Sequence, residues 1–154
     1  IDLMQSVDLD MHSQLKEKYD AGNTDEVRSS LKACGIFVND WTFEIALLDA
    51  GLHEELKNTF AELGDEIDVN LKAGIQHVDK YLADRSDENG QNVLASIGDT
   101  RWGKGRFAQR LIKHIQAKAG SFKDQGERSN IVPEYIKAGI EHLITKIQSE
   151  KVAL

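Results

Sequence analysis

The chain has 154 residues, 40% of them apolar, and a formal net charge of −7, enough for one domain with a core, and a single domain is expected. The acidic balance argues against a protein that simply coats nucleic acid, since nonspecific affinity for phosphates scales with cationic contacts. A single cysteine, Cys34, excludes an internal disulfide and makes the cytoplasm the default compartment. The opening stretch, Ile1 to Val7, is too short and mixed for a signal peptide or membrane span. No membrane partner is therefore expected, and a start at Ile1 makes the chain read as a piece of a longer protein.

Apolar residues recur mostly three and four apart, and Pro133 is the one proline, so the body of the chain should be helical. Leu15 and Tyr19, then Val27 and Leu31, predict two helices broken at Ala21-Gly22-Asn23, the second capped by Thr24 or Asp25 and ended by Gly35. Ile36-Phe37-Val38, apolar and bounded by Gly35 and Asn39-Asp40, is the best strand candidate. Thr42 to Ala50 is apolar on nearly every side and predicts a short buried helix stopped by Gly51. Leu52, Leu56, Phe60 and Leu63 mark a helix ending at Gly64; Asp65 then caps a longer one carrying Ile67, Leu71, Ile75, Val78 and Leu82. Residues 86–90 read as a polar loop and Val93 to Ile97 as a brief helix. The helix after Lys104 should bury Phe107, Leu111, Ile112 and Ile115 and stop near Gly120. After a polar stretch to Asn130, Pro133 suits the first turn of a last helix bearing Ile136, Ile140, Leu143, Ile144 and Ile147.

Three places could carry chemistry. Lys104 stands between Gly103 and Gly105 ahead of a helix, where a freed backbone and one ammonium suit a phosphate or an oxyanion. Glu44 lies among apolar residues, where an unpaired carboxylate is costly unless a cation, metal or donor satisfies it. Alternatively it complements the helix dipole. Thr42 could cap that helix or orient Glu44 or a metal-bound water. Asp8 and Asp10, two apart, would point to one side of an extended segment and could share divalent cations, or could lie in a solvated turn. From Arg101 to Lys123 there are seven Lys/Arg residues and no acid. On charge alone the plain reading of that run is a solvated helix face. The five histidines show no pairing at metal-ligand spacing and are read as surface or helix-face residues.

Taken in order, Gly35 to Glu44, Gly103 to Gln109, and Val132-Pro133-Glu134-Tyr135-Ile136 with Ile140 to Leu143 resemble the carboxyl-terminal TOPRIM region of the OLD (overcoming lysogenization defect) family of nucleases. The resemblance implies a helix-rich α/β domain with a small parallel sheet, spanning residues 1–154, with a helical segment of about 52–97 inserted before the lysine motif. It implies a DNA endonuclease, active in anti-phage defence, in which Glu44, Asp8 and Asp10 hold Mg²⁺ or Mn²⁺. Thr42 and Glu44 would form the Ser/Thr-x-Glu element and Lys104 would stabilise developing charge. Partners would be DNA, its backbone tracked by Arg101, Arg106, Arg110 and Lys113, an ATPase domain or subunit through which alone ATP enters, and a second copy, as family members commonly dimerise. The family's first acidic motif has no counterpart here, so the isolated chain is expected to depend on residues beyond it for cleavage. The alternatives are a non-catalytic helical interaction module, a DNA-binding module that does not cut, or another TOPRIM activity.

Overall fold

The computed structural model describes residues 9–67, 72–98 and 103–152. Among them there are nine helices and no strand: α1 (Leu9–Asp20), α2 (Thr24–Ala33), α3 (Phe43–Asp49), α4 (His53–Ile67), α5 (Lys72–Ala83), α6 (Asp87–Gly98), α7 (Gly103–Ser121), α8 (Gln125–Asn130) and α9 (Glu134–Val152). The expected α/β domain with a small parallel sheet is therefore wrong, because every regular element among the described residues is a helix.

The strand predicted at Ile36–Val38 failed for a local reason. Gly35 takes φ +77, its N–H donates to the Lys32 carbonyl, and the Ile36 N–H donates to the Leu31 carbonyl at 2.9 Å. This is a Schellman closure of α2, in which the residue after the glycine bonds five positions back, and here it also packs on the residue it reaches. Ile36 indeed lies against the small cluster of Leu15, Val27 and Leu31. Its N–H is committed to a helix end, leaving a run too short to form a ladder of its own. The same closure ends α1, with Gly22 at φ +80 and Asn23 N–H on the Lys18 carbonyl. It also ends α3, with Gly51 at φ +82 and Leu52 N–H on the Leu47 carbonyl.

The described chain divides into two compact units, one of residues 1–39 with 135–154 and one of residues 40–134. In the second, α4 contacts α5 and α7, and α6 contacts the same two helices, giving a four-membered ring. Lys57 on α4 meets Asp79 on α5 at 2.9 Å, while Phe60 lies over Gly74. Rising numbers on α4 thus face falling numbers on α5, an antiparallel up-down arrangement typical of helix bundles. Leu56, Phe60 and Leu63 of α4, Val78 of α5, Val93 and Ile97 of α6, and Phe107 of α7 are fully or almost fully buried in its core. The Phe60 and Phe107 rings meet at 4.8 Å between centroids, tilted by 55°, a favourable aromatic geometry. Ile45, Leu47 and Leu48 of α3 extend this core.

Several helix boundaries differ from the prediction: α7 already begins at Gly103, and α8 lies in the stretch expected to be a polar connection. α4 runs through Gly64 to Ile67, and α6 starts at Asp87 and takes in Gly90. Gly90 is buried because Trp41 occupies the place of a side chain: a Cβ there would run into the indole ring. In the first unit α1 and α2 pack around Leu15, Val27 and Leu31, with Met11 and Ile36 beside them. There α9 receives Phe37, which lies on the backbone at Gly139 and against the His142 ring at 5.5 Å.

Gly90→Ala should lower the unfolding free energy by about 2–3 kcal/mol, since the ring must move or leave. Gly105→Ala, where nothing lies within 4 Å of an added Cβ, should be neutral or stabilising by up to about 1 kcal/mol. Urea denaturation compares them, and equal effects would contradict the Trp41 notch. Tyr81 supplies a second test. Burial first, and then the Asp49 carboxylate 3.3 Å from its hydroxyl, hold the phenol above its ordinary value of 10.0. The folded state therefore keeps a proton that the unfolded chain loses near that pH, so this contribution is full below it and fades as pH rises through the folded value. Tyr81→Phe should flatten that part of the alkaline decline in stability, read from urea midpoints between about pH 9 and 11.

Candidate functional site

Thr42 stands in extended backbone, φ −128 and ψ 163, just ahead of α3, and its hydroxyl accepts the Ile45 N–H at 3.4 Å. It is the N-cap of a helix whose outer residues would otherwise leave donors unmet. Glu44 follows in the first turn, half-buried, where its charge complements the helix dipole. Lys104 is the second residue of α7 and is exposed, so its flanking Gly105 lies within a helix rather than in a loop. No ion pair or hydrogen bond joins Glu44 to Lys104 among the described residues. Asp10 lies in the first turn of α1, not in the extended segment that the Asp-x-Asp reading requires. Asp8 and Arg101 lie outside the described residues. No group of three His, Cys, Asp or Glu side chains stands together as a metal site among the residues described.

The basic run on α7 has a use that the sequence reading missed. Arg110 reaches Glu62 of α4 at 3.0 Å, and His114 Nε2 lies 3.0 Å from the other oxygen of the same carboxylate. One turn further, Lys118 donates to Glu55 Oε2 at 2.9 Å and to the Gly51 carbonyl at 3.2 Å. Positions 110, 114 and 118 are spaced by four and form one stripe along α7. Glu55 and Glu62, seven apart, form the matching stripe on α4. Because higher numbers on one helix meet lower numbers on the other, α4 and α7 run antiparallel. Glu55 is 8% exposed, and a carboxylate so covered needs the ammonium it receives. Arg110, expected to contact DNA, thus neutralises Glu62 inside the fold. Arg106 is half-buried with an interaction of its own, and Lys113 is exposed. His114, read as a surface or helix-face residue, is half-buried in the seam.

In the first unit α9 is arranged the other way from an ordinary surface helix. The arc carrying Gly139 and His142 is covered by Phe37. Ile140, Leu143, Ile144 and Ile147 are 52%, 60%, 49% and 53% exposed. With Ile136 these side chains occupy a stripe about 100° wide, the width of a core-facing side. Leaving four such groups half in water forgoes about 1 kcal/mol each, a sizeable amount beside a net stability of about 5–15 kcal/mol. Contiguous apolar patches of this kind mark interaction surfaces. Elsewhere in this unit a cavity of about 220 Å³ between α1 and α2 is lined in part by Met11 and Cys34, whose sulfurs are 3.3 Å apart. Its Lys18 is drawn to Glu26 at 3.4 Å, so the cavity gathers no set of acid, base and nucleophile.

No family model, curated protein or solved structure matches the chain. The resemblance to the OLD family therefore rests on the quoted motifs. No described helix is long and apolar enough to cross a membrane.

Glu62→Gln should lower the unfolding free energy by about 1–2 kcal/mol, because Arg110 and His114 lose their shared acceptor. Arg110→Met should cost a similar amount, and the double variant less than the sum by about 0.5–1.5 kcal/mol. Lys113→Met, exposed on the same helix, should change stability by no more than about 0.5 kcal/mol. Strict additivity of the first two in urea denaturation would remove the seam from the account.

Proposed function

We propose that the chain is a helical protein-interaction module that receives a partner's amphipathic helix along α9. One observation carries this reading: the apolar stripe of α9 faces outward while Phe37 occupies the arc beside it. A helix held in that orientation presents Ile140, Leu143, Ile144 and Ile147 as ready anchors, at the spacing by which helices recognise one another. Their backbone is already ordered, so binding would not have to supply the entropy of folding a segment.

Metal-dependent DNA cleavage, the activity implied by the resemblance, is the reading set against it. Thr42 as a cap and Arg110 as the counter-ion of Glu62 have uses that require neither metal nor DNA. Glu44 also has a sufficient role at the start of α3.

Two measurements separate the readings. Replacing Leu143 and Ile147 by Lys should leave the unfolding free energy within about 0.5–1 kcal/mol of the parent while reducing binding of a hydrophobic dye. A loss of several kcal/mol would mean that the face is core, and the module reading would fail. A plasmid-nicking assay with Mg²⁺, Mn²⁺ or EDTA should give no metal-dependent cut. Nicking that EDTA stops and Lys104→Ala abolishes would establish the nuclease instead.

A further inference from the structure

We infer that the partner helix on α9 is the α9 of a second copy of this chain, packed antiparallel. This deepens the interaction-module reading and rests on it. Ile136, Ile140, Leu143 and Ile147 follow one another at spacings of four, three and four, the pattern of a two-helix seam with Ile140 and Ile147 in one class of position and Ile136 and Leu143 in the other. Antiparallel pairing about a point between residues 141 and 142 sets Ile140 against Leu143 of the second copy, and Ile147 against Ile136. Both central pairs are then branched aliphatics of similar size, which a symmetric interface requires of a single surface.

Charge selects the direction. Lysines flank the stripe, Lys137 on one edge and Lys146 on the other. In the antiparallel register Lys146 comes opposite Gly139 of the second copy and Lys137 comes opposite Ile144, so each stem crosses a small or apolar residue and like charges stay apart. A parallel register brings Lys146 opposite position 151 of the second copy, which is also lysine, a repulsive pairing. Antiparallel alignment also opposes the two helix dipoles favourably.

The area fits a reversible dimer. Four side chains at about half exposure offer on the order of 400 Å² of apolar surface per copy. A standard interface takes about 800 Å² from each partner, somewhat more than half of it apolar. The stripe together with its polar edges therefore supplies roughly one such interface, at the small end of the range.

Sedimentation velocity of the whole chain across about 1 to 300 µM should move from monomer to dimer. Ile140→Glu with Leu143→Glu should remain monomeric throughout, with the helical circular dichroism of the parent. A dimer that persists in that variant would overturn the proposal. So would a parent chain that stays monomeric, and dye binding then separates the two failures. If the glutamates reduce it, the face is exposed but takes a different partner; if they do not, the module reading falls as well. Direction is read from a spin label at Ser149→Cys in a Cys34→Ser background. Antiparallel copies hold the labelled backbone positions about 20–25 Å apart, and a parallel pair at about 10 Å would overturn the geometry.

Discussion

The antiparallel pairing of α4 with α7 is the constraint on which the larger unit depends. Phe60 on Phe107 gives it an apolar centre, and Glu55 and Glu62 with Lys118, Arg110 and His114 give it an ionic edge. The two parts do different work. Aromatic and aliphatic burial supplies most of the driving force but tolerates sliding. The ion pairs add little net energy where water reaches them, yet they penalise any register that leaves Glu55 covered without Lys118. The nearby cap at Thr42 and the closure at Gly51 hold α3 at the edge of the same core.

Much of the helical order was legible because it follows from apolar spacing of three and four. Helix ends were legible at glycines that take a positive φ, and two of these gain an apolar contact as well. Gly35 and Gly51 are followed by Ile36 and Leu52, which pack back on Leu31 and Leu47, and both glycines stop their helices. Gly64 is followed by Asp65 and α4 continues, yet a polar follower does not by itself decide this, because Gly22 precedes Asn23 and still closes α1. The error at Ile36–Val38 has the same root. An apolar residue after a helix-ending glycine was read as the start of a strand when it was the last piece of a cap. The short helix α8 also carried its signal: Asp124 accepts from Glu127 N–H at 2.9 Å and Glu127 accepts from Lys123 N–H at 2.9 Å, a reciprocal capping arrangement written as Asp-x-x-Glu.

The candidate sites were less legible because the chemistry of a side chain depends on what stands opposite it. Lys104 and Glu44 invite an active-site reading by their local sequence, but no contact unites them. Arg110 and Lys118 stand in a run of Lys and Arg, and only Glu55 and Glu62, on a helix distant in sequence, show what they pair with. The outward face of α9 posed the opposite difficulty. Its periodicity was clear, but periodicity does not say which side of a helix is covered, and that is decided by Phe37 resting on Gly139.

The ionic edge between α4 and α7 carries a further consequence for how this protein can change. An acid lost from one helix strands a base on the other, so neither position can drift alone without cost. Reversal of Glu62 to a base would be tolerated chiefly alongside an acid at Arg110. Stretches far apart in the chain are in this sense inherited as a pair, and substitutions across the seam should be permissive only in combination.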